Sequence, residues 1–227
     1  MTPSLPPRRP ASGAARAYRD AARVAAGTPW RQASFCVVDL ELTGLDPRRH
    51  EIVSWGAVCV EGGRVVCGTA AEGLARPERG VPAESVRIHG LRPADLADAP
   101  PLPEALDDLL QVMTGRVLVA HAAWVERGFL RRALRARGVR LRTPVLDTCA
   151  LGRLWLTGTG ATPPSAVSLE GLAGALGVPS TRPHEASGDA FTTAQVFVAL
   201  ATLLEAGGPE TVGTLAGAEA RLRVQRT

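Results

Sequence analysis

The sequence predicts one α/β domain built on a mixed sheet, and three observations carry that expectation. Apolar, β-branched runs at residues 35–41 and 52–60, followed by Glu61-Gly62-Gly63 and a third run at 64–69, read as three antiparallel strands with a tight hairpin between the last two. Beyond residue 100 the period changes, and helical patterns alternate with a short apolar strand. The length of 227 residues suits one generous domain with flanking segments, since domains usually hold about 100 to 200 residues.

The elements follow in order. Residues 1–33 are rich in Pro, Ala and Arg and are expected as an arm outside the core, with a short helix at 14–25. The three strands come next, then Pro-punctuated turns from Pro77 to Pro103. A helix is expected at 103–113, a strand at 116–120 and an amphipathic helix at 123–137. Asp147 has the place of an N-cap for a helix ending near residue 156, because its short carboxylate can accept from the first free backbone N–H groups. A Gly/Thr/Pro loop at 157–167 precedes a helix capped by Ser168, and a long helix is expected at 188–205. The division is therefore an arm at 1–33, a domain at 34–206 and a C-terminal tail at 207–227.

Composition narrows the function classes. Hydrophobic residues make up 45% and charged residues 21%, which excludes wholesale disorder, collagen-like repeats and disulfide miniproteins. No apolar run approaches the roughly 18 to 20 residues of a membrane span. The twin Arg8-Arg9 has no apolar stretch behind it, so no secretory signal is expected and the cytoplasm is the default compartment. The net charge of +4 resides in the flanks: residues 1–33 carry six arginines against Asp20, while the 34–206 segment carries 17 arginines against 19 acids. Basicity is thus a weak argument for polyanion binding by the folded part. Cys36, Cys59, Cys67 and Cys149 form no C-x-x-C pair, which excludes zinc-ribbon and thioredoxin patterns and leaves them as small buried residues in a reduced compartment.

Three motifs carry chemistry. Asp39 and Glu41 stand at i and i+2 of a strand and so project from one face. Two acids side by side in an apolar run repel each other and are costly to desolvate unless a cation lies between them. A hard divalent ion with oxygen ligands fits; a strand ending at Val38, with both acids solvated, is the alternative. Glu126 falls on the first turn of a helix that starts at a strand's carboxyl end, the usual ligand side of α/β folds. His184 precedes Asp189 by five residues at the start of the long helix, and it can exchange a proton near neutral pH beside a carboxylate cluster.

In this order, the motifs resemble the DEDDh, or DnaQ-like, 3′-to-5′ exonucleases, the group that includes the proofreading epsilon subunit of bacterial DNA polymerase III. The resemblance covers roughly residues 34–204 and extends to the segments 51–58, 88–91, 146–149 and 168–173. It implies a ribonuclease H-like fold, a mixed five-stranded sheet flanked by helices. It also implies a phosphodiester hydrolase using two divalent ions, Mg²⁺ or Mn²⁺, with Asp39, Glu41, Asp189 and Glu126 as ligands and His184 as general base. Leu42, Thr43 and Gly44 match the backbone that meets a 3′-hydroxyl, and Ile88 and His89 the segment along the terminal nucleotide. The implied substrate is single-stranded DNA with a free 3′ end, the implied partner a DNA polymerase. An RNA-trimming enzyme of the same fold and a low-activity polymerase-associated binding module are the alternatives. The family usually has Asp at Glu126, Asn at Ala122 and Thr at Leu42.

Other residues have plainer expectations. Arg127, Arg131 and Arg135 share a helix face expected in solvent, with phosphate tracking as the second reading. Trp55 is expected in the core and Trp124 against the sheet, with base stacking as the alternative for Trp124. Asp147 is expected to cap its helix and His121 to be hydrogen-bonded structure.

Overall fold

A computed structural model describes residues 12–142, 144–161, 163–164 and 167–224. In chain order the elements are α1 (Gly13–Asp20), a 3-10 turn (Trp30–Gln32), β1 (Phe35–Leu42), β2 (Ile52–Glu61), β3 (Arg64–Leu74), α2 (Ala83–His89) and α3 (Leu102–Met113). They continue with β4 (Val117–Ala120), α4 (Trp124–Ala136), β5 (Val145–Asp147), α5 (Thr148–Gly158), α6 (Leu169–Leu176), α7 (Ala186–Glu205), α8 (Val212–Ala216) and α9 (Ala218–Val224). The five strands form one mixed sheet in the order β3-β2-β1-β4-β5, as expected. β1 to β3 pair antiparallel, whereas β4 and β5 join β1 in parallel. Gly62 and Gly63, both at positive φ (59° and 73°), make the hairpin between β2 and β3, the backbone that a two-residue turn demands.

The period of two along β1 divides the core. Phe35 and Val37 face one layer, where Phe197 and Leu200 of α7, Leu151 of α5 and Leu172 of α6 pack. Cys36, Val38 and Leu40 face the other, with Leu109 and Met113 of α3 and Phe129 and Leu134 of α4. Phe35 meets Phe197 edge to face at 4.8 Å between ring centroids, which fixes α7 on the central strand. Among the described residues α7 is also long and apolar enough, by length and composition, to cross a membrane, a stretch the sequence reading did not count. Half of that stretch is buried, and its apolar character follows from packing against the sheet on one side and α5 and α6 on the other.

The flanks differ from expectation. Residues 13–33 do not form an arm outside the core: Ala15, Tyr18 and Trp30 are fully buried, and the helix stops at Asp20 rather than Ala25. Arg142 explains the stop, since its guanidinium donates to the carbonyls of Arg19 and Ala21 and takes over the free acceptors of the last turn. The C-terminal segment is likewise no free tail. Val212, Leu215, Ala218 and Leu222 join the α7 layer, and the backbone N–H groups of Trp30, Val212 and Gly213 donate to Glu210, Thr28 and Ala26. The two flanks therefore close on each other beside the sheet. Residues 1–11 and 225–227 of the expected arm and tail lie outside the described residues. Cys36 and Cys59 are buried as expected, but Cys67 is exposed on β3.

Candidate active site

Asp39 and Glu41 continue the row of Phe35 and Val37, so both project toward α7. What brings α7 close is Gly56, the cross-strand partner of Asp39. A methyl group there would overlap the carbonyl of Ala186 and the amide nitrogen of Ser187, so only glycine lets the first turn of α7 lie on the sheet. Asp189, in that first turn, thereby joins the strand acids, and carboxylate oxygens of Asp39, Glu41 and Asp189 lie within 4.8 Å of one another.

The electrostatics record the crowding. Burial, then the charges of Glu126, Glu41 and Asp189, hold the Asp39 carboxyl well above the usual range. Burial, helped by Asp189, pushes Glu41 to about 7. Burial also raises Asp189, against the His184 backbone N–H that donates to its Oδ2 at 3.0 Å. Glu126 sits on the first turn of α4, 5% exposed, with its carboxyl raised to about 8 by burial and by Asp147 and Glu41. Its Oε2 is buried without a hydrogen-bond partner among the described residues. Glu126 stands outside the triad of converging oxygens but close enough to be the largest charge acting on Asp39. An all-oxygen set of mutually repelling acids with an orphaned oxygen fits a hard divalent cation.

His184 is exposed at the triad's edge, with its backbone in the left-handed region at φ 63°. Such a backbone costs of order 1 to 3 kcal/mol in a non-glycine residue and persists only where its surroundings enforce it. Here the enforcement comes from the bond to Asp189 and from Arg182, itself at φ 40°, which donates to Glu185 at 2.9 Å and Ser187 at 3.1 Å. Gly188 completes it, because a side chain there would overlap the carbonyls of Thr181 and Arg182.

A cavity of about 240 Å³ opens beside the acids, lined by Glu41, Ser54, His89, Leu91, His184 and Ser187 among others. His89 is buried, its Nδ1 accepting from the Leu91 N–H at 3.1 Å while Nε2 has no hydrogen-bond partner among the described residues, and burial lowers its pKa. Ile88 beside it is 61% exposed. Thr43 is clamped twice to Glu51: its N–H donates to the Glu51 carbonyl, and its hydroxyl accepts from the Glu51 N–H. Gly44 at φ 152° lies against the His50 ring, where a side chain would not fit. The structure thus brings His184, His89 and Glu41 to one cavity and places Leu42, Thr43 and Gly44 on the strand end and turn that follow Glu41.

Some expectations resolve differently. Trp55 is core at 2% exposure, but Trp124 does not pack on the sheet and is 59% exposed. Asp147 caps α5 through the Cys149 N–H, and His121 bridges Thr148 and the Val167 carbonyl, both as expected. Arg127, Arg131 and Arg135 are exposed, whereas Arg137 binds Asp107 at 2.6 Å. The sequence reading missed Gly56, although a glycine inside an apolar strand signals a close backbone approach.

Comparison with known proteins agrees with this geometry. The RNase_T family model, described as an exonuclease, matches residues 36–197. A DNA polymerase III subunit epsilon-like protein of Rhodobacter capsulatus is 37% identical over 193 residues, covering 84% of this chain and 27% of that protein. A PolC-type DNA polymerase III of Thermotoga maritima is 32% identical over 174 residues, 76% of this chain and 12% of that protein. The chain therefore spans only a small part of either relative. Among solved structures, exonuclease X in complex with 5′ overhanging duplex DNA superposes with a TM-score of 0.63 at 23% identity, over 82% of this chain and 99% of that one. E. coli exonuclease I with a dT13 oligonucleotide gives 0.64 at 15% identity, over 77% and 42%. Both likenesses establish the fold. With the family model spanning the sheet, the acids and the first half of α7, the chain belongs to the RNase_T exonuclease family.

Proposed function

We propose that the protein is a metal-dependent 3′-to-5′ exonuclease that releases 5′-mononucleotides from single-stranded DNA. The observation that carries the reading is the convergence of Asp39, Glu41 and Asp189 within 4.8 Å at a strand end beside an open cavity. These three would hold divalent cations, Mg²⁺ or Mn²⁺, with Glu126 at the fourth acid's place. Bound as a pair, such ions supply activation of water and charge stabilisation of the leaving 3′ oxygen. The chain's own groups do the rest. His184, exposed at the cavity's edge, takes the proton of the attacking water as the P–O3′ bond breaks. The turn Leu42-Thr43-Gly44, stiffened by Glu51, meets the 3′-hydroxyl through its backbone. Ile88 and the buried His89 lie along the terminal nucleotide, and the His89 Nε2 has no hydrogen-bond partner among the described residues.

We place the catalytic unit at 34–206, completed by the flanks that close on it. Relatives named as DNA polymerase III subunits support a DNA polymerase as a partner and the cytoplasm as the compartment. Digestion of end-labelled single strands of DNA and RNA, with Mn²⁺ or with excess chelator, tests the reading. The expected result is stepwise shortening from a free 3′ end, arrest by a 3′-phosphate and arrest by chelation. Full activity in chelator, or equal cutting of blocked and free ends, would sink it. Preference for RNA would select the trimming enzyme instead.

A further inference from the structure

We propose that Trp124 is a specificity-determining residue, a platform on which a nucleobase upstream of the scissile phosphate stacks as a single strand enters the site. The inference rests on the exonuclease reading above and deepens it. At 59% exposure Trp124 contrasts with Trp30 at 0% and Trp55 at 2%, so most of its indole is left free of packing on the first turn of α4.

Its place is fixed by the helix. Residues 124, 128 and 132 stand one above another on α4. The lower two face the turn that follows β1: a Cβ on Gly128 would lie 3.4 Å from Pro47, and the Arg132 guanidinium donates to the Pro47 carbonyl. Trp124 stands on the same helix face one turn nearer the N-terminus, and Leu45, two residues before Pro47, is also 63% exposed. Side chains on a helix lean toward its N-terminus, so the indole leans toward the sheet end that carries the acids. Glu126, in the same first turn but about 200° round the helix, faces that acid cluster, so Trp124 stands on the outer side of the turn that carries it. Trp124 is not among the residues lining the cavity of Glu41, His89 and His184. In the proposal it therefore meets the strand outside the terminal-nucleotide space. Two further features suit that path: Arg127 and Arg131 are exposed on α4, and a π-face accepts any base, which gives affinity for unpaired strands without sequence preference.

The test compares an oligothymidylate single strand with the p-nitrophenyl ester of thymidine 5′-monophosphate, which carries one base and no upstream strand. For Trp124→Ala the ratio of kcat/KM for the oligonucleotide to that for the ester should fall roughly tenfold, chiefly through KM, and Trp124→Phe should restore most of it. With Ca²⁺ in place of the catalytic ion, oligothymidylate should quench the wild-type tryptophan fluorescence, and Trp124→Phe should lose that quenching. An unchanged ratio, or equal losses on both substrates, would overturn the proposal. A wild-type protein inert on both substrates would defeat the exonuclease reading instead, and absent quenching by oligothymidylate would then defeat the stacking role as well.

Discussion

The two halves of the contact between β1 and α7 are made of opposite materials. In the first half, Phe35 and Val37 meet Phe197 and Leu200 in an apolar interdigitation. In the second half the same row continues as Asp39 and Glu41 against Asp189, where every group is pushed toward its protonated form. One helix and one strand thus hold a stabilising end and a destabilised end in a single rigid frame. The lesson is that the apolar half fixes the position of the acids, because their own mutual interaction without a cation would drive them apart.

The largest expected effect breaks the frame into its parts. Asp39→Asn should abolish cleavage yet raise metal-free stability by about 1 to 2 kcal/mol at pH 8, since it removes a charge that opposes its neighbours. Phe197→Ala, in the other half, should lower stability by about 3 to 5 kcal/mol. Urea unfolding of both variants decides the matter, and a destabilised Asp39→Asn would refute the division. Next comes His184→Ala, which should reduce kcat by roughly 10² to 10⁴ while the midpoint for metal activation moves little. A rate within about threefold of wild type would make the histidine structural.

A smaller effect sharpens the comparison through pH. Glu41 rises from 4.5 to about 7 and Glu126 from 4.5 to about 8 in the folded protein. The native state therefore binds more protons than the unfolded chain between about pH 4.5 and 8, and metal-free stability falls as pH rises through that window. Calorimetry without metal should show Tm declining from pH 5 to pH 8. Added Mg²⁺ or Mn²⁺, which needs the deprotonated acids, should restore more at pH 8 than at pH 5.5. A Tm independent of pH would mean the acids are not crowded in solution.

The smallest effect concerns Ala122, just before α4, at φ 53°. This is the position where related exonucleases usually have Asn, a residue that tolerates the left-handed backbone far better than Ala. Ala122→Gly should stabilise by roughly 0.5 to 1 kcal/mol in a denaturant titration, and a loss instead would show that the methyl group is packed.

Much of this was legible from residue order. The hairpin glycines, the strand acids, the caps Asp147 and Ser168 and the long α7 all have local chemical signatures, and each appears where it was expected. The fifth strand was implied only through the resemblance to a known fold, because Val145–Asp147 is too short to display an alternation. α2 was hidden among prolines, being seven residues between Pro82 and the left-handed Gly90. α8 announces itself by the reciprocal bonds of Thr211 and Thr214, but two threonines three apart are a weak signal. The docking of the flanks was invisible because it depends on Arg142 reaching the carbonyls of Arg19 and Ala21 and on the Trp30 N–H donating to the Glu210 carbonyl, contacts between residues far apart in the chain. Trp124 was expected against the sheet but lies off the buried face of α4, which is made by Glu126, Phe129, Leu130, Ala133 and Leu134.

Gly56 has a mechanical consequence. Farther along α7 the helix rests on the sheet through the side chains of Phe197 and Leu200. At Gly56 the helix rests on main chain. This main-chain contact lies directly across the strand pair from Asp39. The separation of helix and strand at the acids is therefore set by a backbone contact rather than by side-chain packing. A single methyl group at position 56 would act as a wedge at that point, widening the gap while leaving every ligand in the sequence unchanged.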